Sequence, residues 1–508
     1  MPVIMRRLSN TKLNAITLYL NFIVLAVIGL VSNPLLVRFL GVEAFGIWKA
    51  CLRLLDLTSV ADGRASQALK WIVAHKSLRE SEDHMRREVG SAIAVWMLWL
   101  PILMTVISVM LWLLPHLIKD IPPADLTAAR MAAGLLGANI LLTGVMGVPD
   151  SVLAGTNQGF RSYIVMTTLL VFSNVAMVLA AWLGYGIIGL GAATVAGSFL
   201  TGLCTLLVAY RYVSWWGVKR PTWQDVKRVL SFSNWTQVWS LVQMLMLSTD
   251  ILLISYLVGP VLVGKYTFTY YVTQFAISIC LMTGSAITPR LGALVGAGQL
   301  DEAAAVYNRT REAVQSIALA AACGLVLCNG IFVGRWVGTS FYVGDMGNLG
   351  MVLVMLQLVI LRFDAQIQDV GLQIRNKVIA GSLGAVLALA LGALAYHLTS
   401  NLLVMFLGIF IGRLPLNVLF PRQVRRLIPT VRADYTGLLG IAVTVAAAFA
   451  LSMVWRPTGI PGLVLTVVVS LLLSGSGALA FIVSGATRNA LFARLMGSLN
   501  QREGRLPQ

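Results

Sequence analysis

The sequence predicts an all-α membrane protein that crosses the bilayer about fourteen times. Three observations predict this fold class: 58% of the 508 residues are hydrophobic, only 11% are charged, and long apolar runs recur along the whole chain. A soluble domain carries roughly 25% charged residues, and the mean hydropathy here is +0.83. Each apolar run is long enough to cross roughly 30 Å of hydrocarbon as a helix. Soluble enzymes, nucleic-acid-binding proteins and secreted disulfide scaffolds are therefore excluded.

Short polar connections separate the apolar runs and give a map of fourteen spans. The spans are 14–38, 43–66, 89–114, 128–150, 161–183, 187–210, 235–258, 264–288, 313–337, 350–372, 377–397, 401–421, 436–455 and 461–483. The first run is too long for a secretory signal, and no small-residue cleavage pattern closes it. No connection is long enough to house a catalytic domain. We therefore expect any function to reside among the helices, and we expect no enzymatic activity.

The positions of Lys and Arg test this map and orient it. Most of the 38 basic residues fall in alternate connections, beginning with the N-terminus. The opposite connections hold only five, namely Lys119, Arg130, Lys265, Arg335 and Arg456. Because basic residues favour the cytoplasmic side, both termini are predicted to be cytoplasmic and the number of spans to be even. Twelve spans with altered ends is the alternative. The net charge of +18 is thus read as topology rather than as nucleic-acid binding.

Cysteine and histidine provide no metal-ligand pattern. The five cysteines lie inside apolar runs and the four histidines lie mostly at helix ends, without the spacing of a metal site. A Gly-rich string at 259–265 resembles a nucleotide-binding loop only in its Gly and Lys. It lacks the following Ser or Thr and lies in a membrane hairpin. We expect no metal, no other cofactor and no ATP-driven transport by this chain alone.

An internal repeat divides the chain into two similar halves. Gly41 and Gly46 close the first hairpin, and Gly259 and Gly264 close the hairpin of the seventh and eighth spans. Gly41 and Gly259 are 218 residues apart, as are Gly46 and Gly264, and both hairpins begin on the cytoplasmic side. Two six-helix bundles of parallel topology are an architecture of secondary transporters. A convenient tight turn is the simpler explanation of the motif. The predicted domains are a six-helix lobe at 1–212, a cytoplasmic linker at 213–234, a second six-helix lobe at 235–432, two further transmembrane helices at 433–484 and a cytoplasmic tail at 485–508.

Polar side chains recur at helical spacing within several spans, which places them on one face of each helix. The candidate residues of a shared substrate cavity are Lys49, Arg53, Asp56, Arg64, Gln243, Tyr270, Arg362, Asp369 and Arg413. Charges at mid-membrane cost roughly 2.5–3.5 kcal/mol each on insertion scales and usually face a wet cavity. Asp250, the one carboxylate of the seventh span, is a candidate for ion coupling.

The predicted cavity is mainly cationic. Guanidinium groups bind phosphate oxygens in pairs and keep their charge in a low-dielectric site, so the lining suits a phosphate-linked sugar. A second interpretation needs no cavity. Arg53 with Asp56, and Arg362 with Asp369, could be ion pairs that only hold helices together.

Two segments carry a resemblance to a known family. The opening hairpin, NPLLVRFLGVEAFGIWKACLRLLDL, resembles the start of polysaccharide exporters of the Wzx type, in the multidrug/oligosaccharidyl-lipid/polysaccharide (MOP) superfamily. The segment VLSFSNWTQVWSLVQMLMLSTDILLISYLVGPVLVGKY looks like the seventh span of that family. The Ala-Ile-Thr-Pro stretch ending at Pro289 and the basic connection after it also fit. The resemblance extends over about the whole chain.

The resemblance implies a flippase with two MATE-like six-helix lobes and two extra C-terminal helices. Such a protein moves undecaprenyl-pyrophosphate-linked oligosaccharide across the bacterial inner membrane by alternating access, for surface polysaccharide, exopolysaccharide or O-antigen synthesis. Its partners are this lipid-linked substrate, membrane lipid, and polysaccharide polymerase or export machinery. Relatives bind the pyrophosphate with cavity arginines and are driven by an ion gradient. The few acidic residues of this cavity, mixed with cations, leave the coupling ion open.

Three other functions stay open at this stage. A drug/cation antiporter of the same fold would need an anionic cavity, and this one is cationic. A flippase for the peptidoglycan precursor lipid II shares the fold and the use of arginine. A membrane scaffold without transport activity would leave the aligned charges without an energetic justification.

Overall fold

The computed structural model describes residues 10–58, 65–76, 81–369, 374–431, 436–455, 457, 459–485 and 487–489. The elements in this part of the chain are all helical. They are α1 (Asn10–Leu40), α2 (Val42–Thr58), α3 (Ala65–Lys76), α4 (Glu82–Leu117), α5 (Pro123–Gly155), α6 (Gly159–Trp182), α7 (Gly186–Tyr212), α8 (Trp223–Leu257), α9 (Pro260–Gly296), α10 (Leu300–Trp336), α11 (Asp345–Gln368), α12 (Ile374–Thr399), α13 (Leu402–Leu427), α14 (Thr436–Val454) and α15 (Gly459–Gly477). A 3₁₀ turn at Thr339–Phe341 and a π-helical segment at Ala478–Ile482 complete them.

The predicted all-helical membrane fold is confirmed. Within the described residues, thirteen helices are long and apolar enough to cross a membrane. The remaining predicted span, 43–66, is the second along the chain and corresponds in part to α2, which has 17 residues and carries the polar stripe of Lys49, Arg53 and Asp56. Residues 59–64, at its predicted end, lie outside the described residues. The chain is thus a multi-pass membrane protein.

Helix ends follow from local chemistry. The Thr222 side chain accepts a hydrogen bond from the backbone N–H of Asp225, whose carboxylate accepts from Thr222 N–H, so a capping box begins α8. At the turns before α2 and α9, Gly41 and Gly259 have φ of 82° and 123°. Only glycine adopts these angles readily, which explains why both copies of the predicted repeat keep a glycine there.

The described chain forms two compact units, Met1–Lys265 and Tyr266–Gln508. In the first unit α7 packs against α5 and α6, and α8 packs against α2, α3 and α4. In the second unit α13 packs against α11 and α12, and α10 packs against α11, α14 and α15. The predicted lobes at 1–212 and 235–432 stay a prediction.

Helix α3 was not expected as a separate element. Its Leu69 and Val73, one turn apart, are fully buried and belong to an apolar cluster that includes Val89 of α4 and Val152 of α5. A short amphipathic helix is held by such tertiary packing rather than by its own propensity. The first unit therefore has an apolar core between α3, α4, α5 and α8.

The two turns of the predicted repeat lie against one another within the first unit. A Cβ at Gly46 would overlap the backbone of Pro260, with 2.6 Å to its carbonyl carbon. A Cβ at Gly264 would lie 2.7 Å from the carbonyl oxygen of Val42. The 218-residue offset exchanges these two contacts, because it relates Val42 to Pro260 and Gly46 to Gly264. Each glycine thus admits the backbone of the other turn.

The five cysteines are free thiols. Cys51, Cys280 and Cys323 are buried, and Cys204 and Cys328 are half-buried. Buried cysteines of this kind act as small apolar packing residues of the helices.

Candidate functional site

In the first unit, the basic residues of α2 are partly buried and only lightly constrained. Lys49 Nζ donates to Asn33 Oδ1 at 3.1 Å and lies 5.1 Å from the ring centroid of Phe45. Arg53 Nη1 is 4.0 Å from Asp56 Oδ2, and the two side chains are 33% and 51% exposed. This ion pair lies within one helix, and a pair of this kind is worth at most about 0.5 kcal/mol.

Helix α8 packs against α2 and carries two further candidates. Gln243 is half-buried. Asp250 is buried, with an Oδ1 that accepts from the backbone N–H of Ile251 at 2.9 Å. Arg64, the last member of the predicted stripe on the second span, lies outside the described residues. The structure thus brings the helices of the α2 and α8 candidates together.

In the second unit, two arginines are buried on packed helices. Arg362 of α11 is 8% exposed and Arg413 of α13 is 0% exposed. Among the described residues, Nε and Nη1 of Arg362 have no hydrogen-bond partner. A buried charge without such partners is costly, and a guanidinium in this state is a ready ligand for an anion.

Asp369, at the end of α11, does not form the ion pair with Arg362 that the second interpretation of the sequence allowed. Its Oδ1 accepts a hydrogen bond from Nζ of Lys377 on α12, and no ion pair with Arg362 is formed between these described side chains. Lys377 is fully buried, although the sequence places it in a cytoplasmic connection. Asp369 therefore links α11 to α12 and does not neutralise Arg362 as an ion-pair partner.

Tyr270 belongs to a buried aromatic group of the second unit. Its ring stacks on Tyr266 with 5.6 Å between centroids, and Tyr266 lies 6.0 Å from Phe406 of α13. Tyr270 is 8% exposed and Tyr266 is 0% exposed. Tyr270, a predicted cavity residue, is therefore largely packed inside its own unit.

Sequence reasoning missed a buried polar cluster between α10 and α11. Tyr307 O–H donates to Asp364 Oδ1 at 2.7 Å, and the charge of Arg311 acts on both groups. Asp364 is 0% exposed and Arg311 is 9% exposed. The available signal was the spacing of Tyr307 and Arg311, four residues apart and therefore on one helix face. The predicted span began only at residue 313.

The second unit also contains an apolar cavity of about 320 Å³ between α9, α10 and α15. Its walls are mainly aliphatic and aromatic, with Val272, Phe332, Val467 and Leu471 among them. Leu471 and Val467 are 58% and 42% exposed. An apolar chain fits such walls better than a sugar or a phosphate does.

The sequence matches a family model described as "Polysaccharide biosynthesis protein" over residues 12–295. The chain belongs to this polysaccharide biosynthesis protein family. The resemblance to Wzx-type exporters is thereby confirmed at the level of the family. A comparison with curated proteins finds no match for this member.

Solved structures show which fold this polysaccharide biosynthesis protein has. The chain is similar to "Lipid II flippase MurJ, inward closed conformation", with a TM-score of 0.68 and 13% identity over 92% of this chain and 98% of that one. An inward-facing MATE multidrug resistance transporter of the MOP superfamily gives 0.56 and 14%, over 83% and 96%. A mutant of the Vibrio cholerae MATE transporter VcmN gives 0.57 and 14%, over 83% and 97%. The fold is that of MOP-superfamily transporters.

Proposed function

We propose that this protein is a flippase for undecaprenyl-pyrophosphate-linked oligosaccharide. It moves the repeat unit from the cytoplasmic to the outer leaflet of a bacterial inner membrane by alternating access, with both termini cytoplasmic. The observation that carries the proposal is the Arg362 guanidinium, 8% exposed and without a described partner at Nε and Nη1, in a member of the polysaccharide biosynthesis protein family. The pyrophosphate is the part of such a substrate that a guanidinium binds best.

The candidate residues divide by chemistry. We assign the pyrophosphate to the basic residues Lys49, Arg53, Arg362 and Arg413, with Arg64 as a further cation. Gln243 and Tyr270 offer an amide and an aromatic ring to the sugars. Asp56 lies beside Arg53 and Asp369 beside Lys377, so each carboxylate offsets part of the positive charge around it. Asp250, buried on α8, is the candidate for ion coupling.

The apolar cavity between α9, α10 and α15 suits the polyprenyl tail. It has a volume of about 320 Å³ and almost wholly apolar walls. A tail held there contributes roughly 0.8 kcal/mol for each methylene that leaves water, but little when it leaves lipid. The cavity therefore favours alignment of the tail more than affinity for it.

The deletion experiment also tests two other substrates, lipid II and a cationic drug. Lipid II also carries a pyrophosphate and would use the same cations. A cationic drug would be repelled by Lys49, Arg53, Arg362 and Arg413, because like charges in a site of low dielectric repel strongly. The cationic lining thus favours either lipid pyrophosphate over a drug.

Deleting the gene is expected to remove surface polysaccharide and to raise the inner-leaflet pool of lipid-linked oligosaccharide. The native chain should restore both, and Arg53→Ala should not. Because Arg53 forms only a weak pair within α2, its loss should cost at most about 0.5 kcal/mol of stability while removing a phosphate ligand. Polymer, inner-leaflet precursor and protein level in the membrane are measured together.

Arg130→Ala is the matched control, since Arg130 is an exposed arginine of α5 and has no assigned role. It should complement like the native chain. Unchanged polymer and precursor after deletion, in a host without a second exporter, would refute the proposal. Accumulation of lipid II instead would assign the protein to the peptidoglycan precursor, and altered drug tolerance alone would assign it to efflux.

A further inference from the structure

A buried ammonium group lies where α11 ends and α12 begins. Lys377, in the first turn of α12, is 0% exposed, and its Nζ donates to the Asp369 carboxylate and to the carbonyl oxygen of Ala365 at 3.4 Å. Ala365 belongs to the last turn of α11, where carbonyls lack partners within the helix and carry the negative end of its dipole. Lys377 therefore fixes the Asp369 carboxylate at the end of α11.

The same carboxylate acts on Arg362. The two residues are seven positions apart, which places them on one face of α11 about two turns from each other. Their charges interact, as do those of Arg362 and Lys377. The ion pair forms with Lys377, however, and Nε and Nη1 of Arg362 have no partner among the described residues. One carboxylate is thus shared by two cations and bonded to one of them.

We propose that Lys377 is a positioning residue that keeps the Asp369 carboxylate from neutralising Arg362 and so leaves the guanidinium available to a phosphate group. The inference rests on the proposed function, because it takes Arg362 as a ligand of the lipid pyrophosphate. Carboxylate and phosphate oxygens compete for the same donors of a guanidinium. Lys377 removes the internal competitor, and the three side chains together keep one net positive charge. Such a group favours an anionic ligand over a cationic one.

The inference predicts that a second substitution restores the binding that the first one weakens. In Lys377→Gln, the Asp369 carboxylate loses its partner and acts on Arg362 alone, so phosphate binding weakens. In Lys377→Gln with Asp369→Asn, the competitor is gone as well and Arg362 is available again. If Lys377 served only to hold α11 against α12, removing Asp369 as well would not restore binding.

The test measures binding of undecaprenyl pyrophosphate to the purified full-length chain in nanodiscs, with undecaprenol as the uncharged probe. We expect Lys377→Gln to weaken diphosphate binding about tenfold, and the double variant to return to within about threefold of the native chain, a range typical of changes at one charged contact. Undecaprenol binding should not change. Arg375→Gln, which removes an exposed cation two residues earlier on α12, is the matched control and should bind like the native chain.

The outcomes separate the inference from the function. Native affinity for undecaprenyl pyrophosphate no higher than for undecaprenol would refute the proposed function. Two results would refute the role of Lys377 but not the proposed function, and both require that the native chain binds undecaprenyl pyrophosphate tightly. In one, Lys377→Gln binds it as tightly as the native chain does. In the other, the double variant binds it as weakly as Lys377→Gln does. Thermal unfolding is recorded for every variant. If Lys377→Gln does not fold, Lys377→Arg replaces it: near-native binding is expected, and a loss as large as that of Arg362→Gln would overturn the inference.

Discussion

Replacing Gly46 with alanine is expected to destabilise the protein and to abolish complementation of a deletion strain. The added Cβ would overlap the Pro260 backbone, with 2.6 Å to its carbonyl carbon, and a backbone atom cannot move aside as a flexible side chain can. Overpacking costs typically about 1–3 kcal/mol and sometimes more, and we expect the upper end here. Thermal unfolding of the purified chain measures the loss.

Gly134→Ala is the matched control because it makes the same substitution inside another membrane helix, α5. A Cβ at Gly134 meets no atom within 4 Å. Alanine is the better helix former by about 1 kcal/mol, so this variant should be as stable as the native chain or slightly more stable. Equal destabilisation of both variants would contradict the close approach of the two turns.

Removing the Asp364 carboxylate is expected to cost roughly 1–3 kcal/mol, the range for leaving a buried hydrogen-bonding group without its partner. Asp364→Ala leaves the Tyr307 hydroxyl without its acceptor and Arg311 without the nearby negative charge. Both neighbours are buried, so water replaces the lost partner poorly. Chemical or thermal unfolding in detergent measures the change, with Asp364→Asn separating the charge from the space it fills.

Asp301→Ala is the comparison for this second variant. Asp301 is exposed in the first turn of α10, where a carboxylate contributes about 0.3–1 kcal/mol through the helix dipole. Asp364→Ala should therefore lose several times more stability than Asp301→Ala. Similar losses in the two would mean that the Tyr307–Asp364 hydrogen bond contributes little to stability.

The membrane fold was predictable because hydropathy and length determine it. The predicted span 187–210 lies within Gly186–Tyr212, and the span 436–455 ends one residue beyond Thr436–Val454. Helices that continue past the hydrocarbon were cut short, since α4 begins at Glu82 whereas its predicted span begins at 89. Hydropathy records only the apolar part of such a helix. The amphipathic α3, held by packing, gave too little hydropathy to be recognised.

The candidate site was predictable only along single helices. Helical spacing identified the α2 stripe and the buried Arg362, because residues on one face share an environment. Partners on different helices were not visible. Tyr307 lies 57 residues from Asp364, and Lys377 was assigned to a connection by its charge. The choice of Lys377 rather than Arg362 as the partner of Asp369 depends on how α11 meets α12, which no spacing rule contains.

The burial of the cysteines makes the protein well suited to thiol labelling with reagents that cannot cross the membrane. Cys51, Cys280 and Cys323 are buried and the other two are half-buried inside apolar helices, so a water-soluble maleimide that cannot cross lipid has few native targets. A single cysteine introduced at an exposed helix end, such as Thr399 or Gln299, would stand out against this background. The native sequence therefore serves directly as the parent for labelling from either face of the membrane, without prior removal of its own thiols.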